Sequence, residues 1–147
     1  MACSSAILLL RLILVIGMLL LLLLQHIILV SILVPQHGSN IVSAFNGVVT
    51  FVGFNGGGGY TVIIQGDEFT ASYCHVSPNF LVYVGQFVTQ GTIIATVGPK
   101  NVYGLPNNPY KDSSGNPTNG ATTGPHLHFT LKKDGVLTNP LIYLNPT

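Results

Sequence analysis

The chain has 147 residues, of which 6% are charged, and its formal net charge is +1 at pH 7. That length allows one domain of ordinary size plus a short extra segment, and the sparse charge excludes a nucleic-acid-binding surface. Seventeen glycines, no tryptophan and 48% hydrophobic residues point to an aliphatic, all-β domain with many tight turns.

In chain order, the first element is apolar. Residues 6–34 are interrupted only by Arg11, Gln25, His26 and Ser31, and residues 12–24 carry no polar side chain. A run of about 20 apolar residues predicts a membrane-spanning helix. A cleaved signal peptide, giving a secreted protein, is the rival reading, but no small-x-small cleavage site follows the run. Arg11 and the α-amino group precede the run, and the next cation is Lys100. This bias predicts a single-pass protein with its N-terminus inside and its C-terminal domain extracytoplasmic. The domain boundaries expected are residues 1–37 for the anchor and linker and 38–147 for the folded domain. Cys3 and Cys74 then lie in different compartments, so no disulfide is expected.

Beyond Pro35 the pattern becomes one of short strands and turns. Strands are predicted at residues 48–52, 60–64, 69–76, 82–84, 87–88, 92–97 and 125–131. Between them lie Asn55 to Gly59, Gln65-Gly66-Asp67-Glu68, Gly85-Gln86, Gln90-Gly91 and the Lys132 to Gly135 turn. No amphipathic helix is evident. The fold class expected is an all-β, antiparallel sheet or sandwich of hairpins, preceded by one transmembrane helix. Residues 99–124 are rich in Asn, Pro, Gly and Ser and show no periodicity. A loop of this length is expected to be functional or disordered. Its Asp112-Ser113-Ser114-Gly115-Asn116 piece reads as turn chemistry rather than a calcium loop.

Two stretches carry reactive side chains. In Gly124-Pro125-His126-Leu127-His128-Phe129, the alternation of a strand puts His126 and His128 on one face and Leu127 and Phe129 on the other. Paired imidazoles suit a metal site or acid–base work, and equally the wet face of a sheet. In Tyr73-Cys74-His75-Val76-Ser77, His75 shares a face with Tyr73, and Cys74 reads as a small buried hydrophobe.

Taken in order, the segments resemble the lysostaphin-type M23 zinc peptidases. Tyr73 to Ser77 resembles the family's Tyr-x-x-His-x-Ser stretch, Val82 to Thr92 its Val-x-x-Gly-Gln hairpin, and His126-Leu127-His128 its His-x-His strand. Gly38 to Val49 resembles the opening Gly-Thr-Pro-Val segment, and Asn139-Pro140-Leu141-Ile142-Tyr143-Leu144 the closing Asn-Pro-x-x-Tyr-Leu. The resemblance implies Zn2+ as cofactor, His128 as a metal ligand, and His75 and His126 as the catalytic histidines beside the metal-bound water. It implies a peptidoglycan or Gly-containing peptide as substrate, with the membrane, through residues 6–34, as the other partner and no nucleic acid.

One part of the family pattern is missing. The remaining two ligands belong to a His-x-x-x-Asp box that falls near Ile28 and Ile32, and no Asp or Glu precedes Asp67. His37 and Asp112 are the possible substitutes. The expected function is a membrane-anchored zinc metalloendopeptidase-like domain, with a degenerate wall-binding or regulatory module as the alternative. A third reading is an altered upstream segment in a chain whose parent carries the box. The Val82 to Val97 hairpin rhythm also suits a biotinyl carrier, but no lysine sits at a hairpin tip.

Overall fold

The computed structural model describes residues 30–33 and 36–144. Among these residues nine strands follow one another: β1 Val30–Leu33, β2 Asn40–Val42, β3 Gly47–Phe54, β4 Tyr60–Gln65, β5 Phe69–Cys74, β6 Phe87–Val88, β7 Ile93–Thr96, β8 Leu127–Lys133 and β9 Val136–Thr138. A single 3-10 turn, Gly56–Gly58, links β3 to β4, and a short helix, α1 Pro140–Tyr143, follows β9. Seven strands form one sheet in the order β1-β8-β5-β4-β3-β6, with β9 also on β8, and β2 and β7 form a second, two-stranded sheet. Every strand pairing is antiparallel. The architecture is therefore the all-β one expected.

Period-2 alternation explains β8. In β8, Leu127, Phe129 and Leu131 are buried while His128 and Thr130 are half-buried. Leu131 joins Val62, Ile64 and Val49 in the core, and each fully buried aliphatic side chain contributes roughly 1.5–3 kcal/mol. Tyr73 also lies in this core, and its phenol oxygen accepts a hydrogen bond from the Ala44 amide at 2.9 Å. Burial pushes the Tyr73 pKa up to about 12, so the phenol stays protonated.

Four details differ from the sequence reading. Val30–Leu33, assigned to the anchor, pair with β8 as a strand of the large sheet. The rest of the anchor, residues 1–29, lies outside the described residues, and no helix among the described residues is long and apolar enough to cross a membrane. Residues 82–84 form no strand, because Gln86 N–H donates to the Tyr83 carbonyl and Gly85 adopts φ 93°, which makes a turn. The 69–76 strand ends at Cys74, because His75 has φ 61° and leaves the extended region. Finally, β8 runs on to Lys133 and turns at Asp134-Gly135 into β9. Cys74 is a buried free thiol, and Cys3 lies outside the described residues.

The strand register brings the reactive stretches together. Cys74 stands opposite His128 in the β5–β8 pair, so His75 emerges beside the start of β8. On the other side of β8, Ile32 stands opposite His128.

Candidate active site

His75, His126 and His128 come together at this end of the sheet. One ring nitrogen from each lies within 4.8 Å of the other two. The His75 ring centroid is 4.5 Å from that of His126 and 5.8 Å from that of His128. His75 is buried and the other two are half-buried.

Backbone carbonyls orient two of the rings. His75 Nδ1 lies 2.7 Å from the Asn119 carbonyl oxygen, and His126 Nδ1 lies 2.9 Å from that of Gly124. A carbonyl only accepts, so both Nδ1 atoms carry the proton and both Nε2 atoms keep their lone pairs. The Thr122 hydroxyl donates to the same Gly124 carbonyl at 2.6 Å and lies 3.2 Å from His126 Nδ1. Burial pushes the His75 pKa down to about 4, opposed by the Asn119 hydrogen bond and reinforced by the nearness of His126 and His128. The His128 pKa is also lowered, first by burial and then by His126. Burial thus favours the neutral imidazole at His75 and His128.

His75 stays in its left-handed conformation because its surroundings hold it from several sides. Its N–H donates to Gly58 and its carbonyl accepts from Gly98. Strained backbone of this kind is found where a side chain must be aimed. Asn119 fixes the same corner. It is fully buried, its Oδ1 accepts from Tyr60 N–H at 2.8 Å, and its Nδ2 donates to the Val76 carbonyl at 3.0 Å. The loop carrying Asn119 passes so close to β4 that a side chain at Gly59 or Gly120, both at positive φ, would collide with backbone.

Residues 99–124 form an ordered loop with no regular strand. Isolated bridges join Asn101 to Thr118 and Lys111 to Pro117. Asp112 organises its tip, accepting at Oδ1 from the amides of Ser114 (3.0 Å) and Asn116 (2.9 Å). Its Oδ2 faces Asn101 Nδ2 (3.2 Å) and Lys100 Nζ (3.4 Å). These contacts, led by the Asn116 amide, hold its pKa down at about 2. Neither Asp112 nor His37 belongs to the three-histidine group among the described residues; His37 is exposed in the turn before β2. The roles of Asn119, Thr122 and Gly124 in orienting the histidines went unread in the sequence, where they sit in an aperiodic polar stretch.

Residues 30–110 match the model of peptidase family M23. The chain belongs to this family. It is 32% identical over 108 residues to an uncharacterized metalloprotease of Haemophilus influenzae, covering 72% of this chain and 18% of that protein. The structure of Csd3 from Helicobacter pylori superposes with a TM-score of 0.58 at 33% identity, covering 79% of this chain and 26% of that one. The catalytic domain of the antimicrobial peptidase lysostaphin from Staphylococcus simulans shares the fold, with a TM-score of 0.59 at 22% identity and coverage of 77% and 75%. The chain thus spans about a fifth of the length of the Haemophilus relative and about a quarter of Csd3. Metallopeptidases of family M23 use zinc as a rule, and the three-histidine group offers nitrogen donors suited to it.

Proposed function

We propose that this is a zinc-dependent peptidase domain directed at the peptide cross-links of bacterial cell wall, with His128 as a metal ligand and His75 and His126 as the proton-handling pair. The observation that carries the reading is the trio of imidazoles within 4.8 Å, two of them with Nδ1 tied to carbonyls and Nε2 free. A catalytic zinc takes three protein ligands and keeps one position open; with His75 and His126 kept for proton handling, His128 is the one ligand this group supplies, and no other His, Cys, Asp or Glu among the described residues joins it. When bound, zinc lowers the pKa of water and polarises a carbonyl. The residues supply the rest. His75, with its pKa near 4, holds a lone pair ready at Nε2 to accept a proton at neutral pH. His126 lies beside it at ring-to-ring distance 4.5 Å, close enough to share that proton or to donate to a developing oxyanion.

A second reading, a wall-binding M23 module without activity, is favoured by one observation. Ile32 stands opposite His128, where the family pattern calls for a carboxylate. Zinc content decides between the two. About one zinc per chain, lost in His128→Ala, together with cleavage of a cross-linked wall peptide, is the expected result. A metal-free chain that still binds isolated wall material would overturn the enzyme reading in favour of the module.

The proposed location is extracytoplasmic, on a membrane anchor that ends before β1. Residues 6–29 remain for the span, which still exceeds the ~20 residues a helix needs. Protease added to intact cells should remove the domain and leave the anchor. A domain that stays protected until the cells are lysed would sink this placement.

A further inference from the structure

Beside His126 opens a cleft of about 480 Å³, lined by Tyr110, Lys111, Thr118, Gly120 to Thr123 and His126. We infer that this cleft is an anion subsite, which takes a carboxylate of the peptide lying across the three histidines with Lys111 as its counter-ion. The inference rests on the peptide-binding reading above and adds the chemistry of one end of the substrate.

Charge gives the first argument. Lys111 is the one cationic residue in the lining, and no carboxylate is part of it. Among the described residues, Lys100 pairs with Asp112 and Lys133 with Glu68, while Lys111 forms no ion pair. The carboxylate next in sequence, Asp112, does not serve it, because both oxygens are already engaged by Ser114, Asn116, Asn101 and Lys100. The cleft is thus a hollow of mixed lining with one unbalanced positive charge.

Donor supply gives the second. The Thr118 and Thr122 hydroxyls already donate to the carbonyls of Gly120 (2.8 Å) and Gly124 (2.6 Å). Lys111, Tyr110 and Thr123 are left as side-chain donors, and a carboxylate is the group that accepts from several donors at once.

Rigidity gives the third. The Tyr110 carbonyl accepts from Thr118 N–H, the Tyr110 N–H donates to Asn108, and Lys111 is bridged to Pro117. The backbone of the two residues is therefore held before any ligand arrives, which lowers the entropy lost on binding. Their spacing from the histidines is fixed too, because the same loop supplies the Asn119 carbonyl to His75.

The test compares two probes on the full chain by calorimetry: pentaglycine with a free C-terminal carboxylate and pentaglycine amide. The chain is expected to bind the carboxylate form about tenfold more tightly, the range of one charge-assisted hydrogen bond. Lys111→Met should abolish that preference while leaving the amide affinity unchanged, and Lys111→Arg should retain it. Equal binding of both probes to the unaltered chain overturns the subsite and leaves the peptide reading standing. Binding of neither probe overturns both. A preference that survives Lys111→Met overturns the role of Lys111.

Discussion

Replacing Asn119 by alanine tests whether the loop and the histidine corner form one unit. The side chain is fully buried and makes two hydrogen bonds to backbone groups of other segments, Tyr60 N–H at 2.8 Å and the Val76 carbonyl at 3.0 Å. Alanine leaves one donor and one acceptor without their protein partners in a fully buried corner. Each orphaned group costs roughly 1–3 kcal/mol, so the expected loss is about 2–5 kcal/mol. That is a large share of the ~5–15 kcal/mol by which a domain is stable. Urea unfolding of the full chain measures it: with m about 1–3 kcal/mol/M, the midpoint should fall by ~1 M or more. Asn119→Asp sharpens the comparison. It keeps the acceptor for Tyr60 but sets a carboxylate against the Val76 carbonyl, and should be at least as damaging as alanine. A loss below about 0.5 kcal/mol for alanine, or an aspartate variant close to the parent, would refute the reasoning.

Three further outcomes are expected. In the metal-free chain, His75 binds its proton near pH 6.5 when unfolded and near pH 4 when folded, so the unfolded state holds the extra proton between those values. Stability should therefore be full above about pH 6.5 and fall by up to about 3 kcal/mol towards pH 4, and His75→Asn should flatten that slope in pH-dependent unfolding. Tyr73→Phe removes the acceptor of the Ala44 amide and should cost about 1–3 kcal/mol in thermal or urea unfolding, with the core otherwise filled. Ile32→Asp places a carboxylate opposite His128 and should tighten zinc binding by ~10-fold or more in a competition titration; an unchanged affinity would show that position 32 does not reach the metal.

Much of the sheet was legible because β-branched and aromatic runs bounded by Gly-rich turns mark strands. Val48 to Val52, Tyr60 to Ile64 and Leu127 to Leu131 all read as strands, and each became one. The common face of His126 and His128 followed from strand alternation. The approach of His75 to them did not: the contact joins residues about fifty apart in sequence, and only the family resemblance suggested it. Val30–Leu33 was misplaced for a physical reason, since a short continuous apolar run suits a strand and a membrane helix equally. Val82 to Val84 failed because three apolar residues before Gly85-Gln86 look like half a hairpin, while the actual bonds close a turn. Asn119 left no trace because one buried amide in a polar stretch looks like any loop asparagine.

The bridge between Asn101 and Thr118 closes the neck of the loop that carries Lys111. A loop pinned at its neck is thermodynamically separable from what lies below it. Doubling its length adds only ~0.6 kcal/mol of closure entropy, so residues can be inserted at its exposed tip, near Ser113 and Ser114, with little strain on the sheet, while Val102 and Tyr110 remain packed below. The histidines take their orientation from Asn119 and Gly124, just outside that neck. The fold therefore separates two tasks along the chain: the histidines are locked to the scaffold, and the tip of the arch is free to vary.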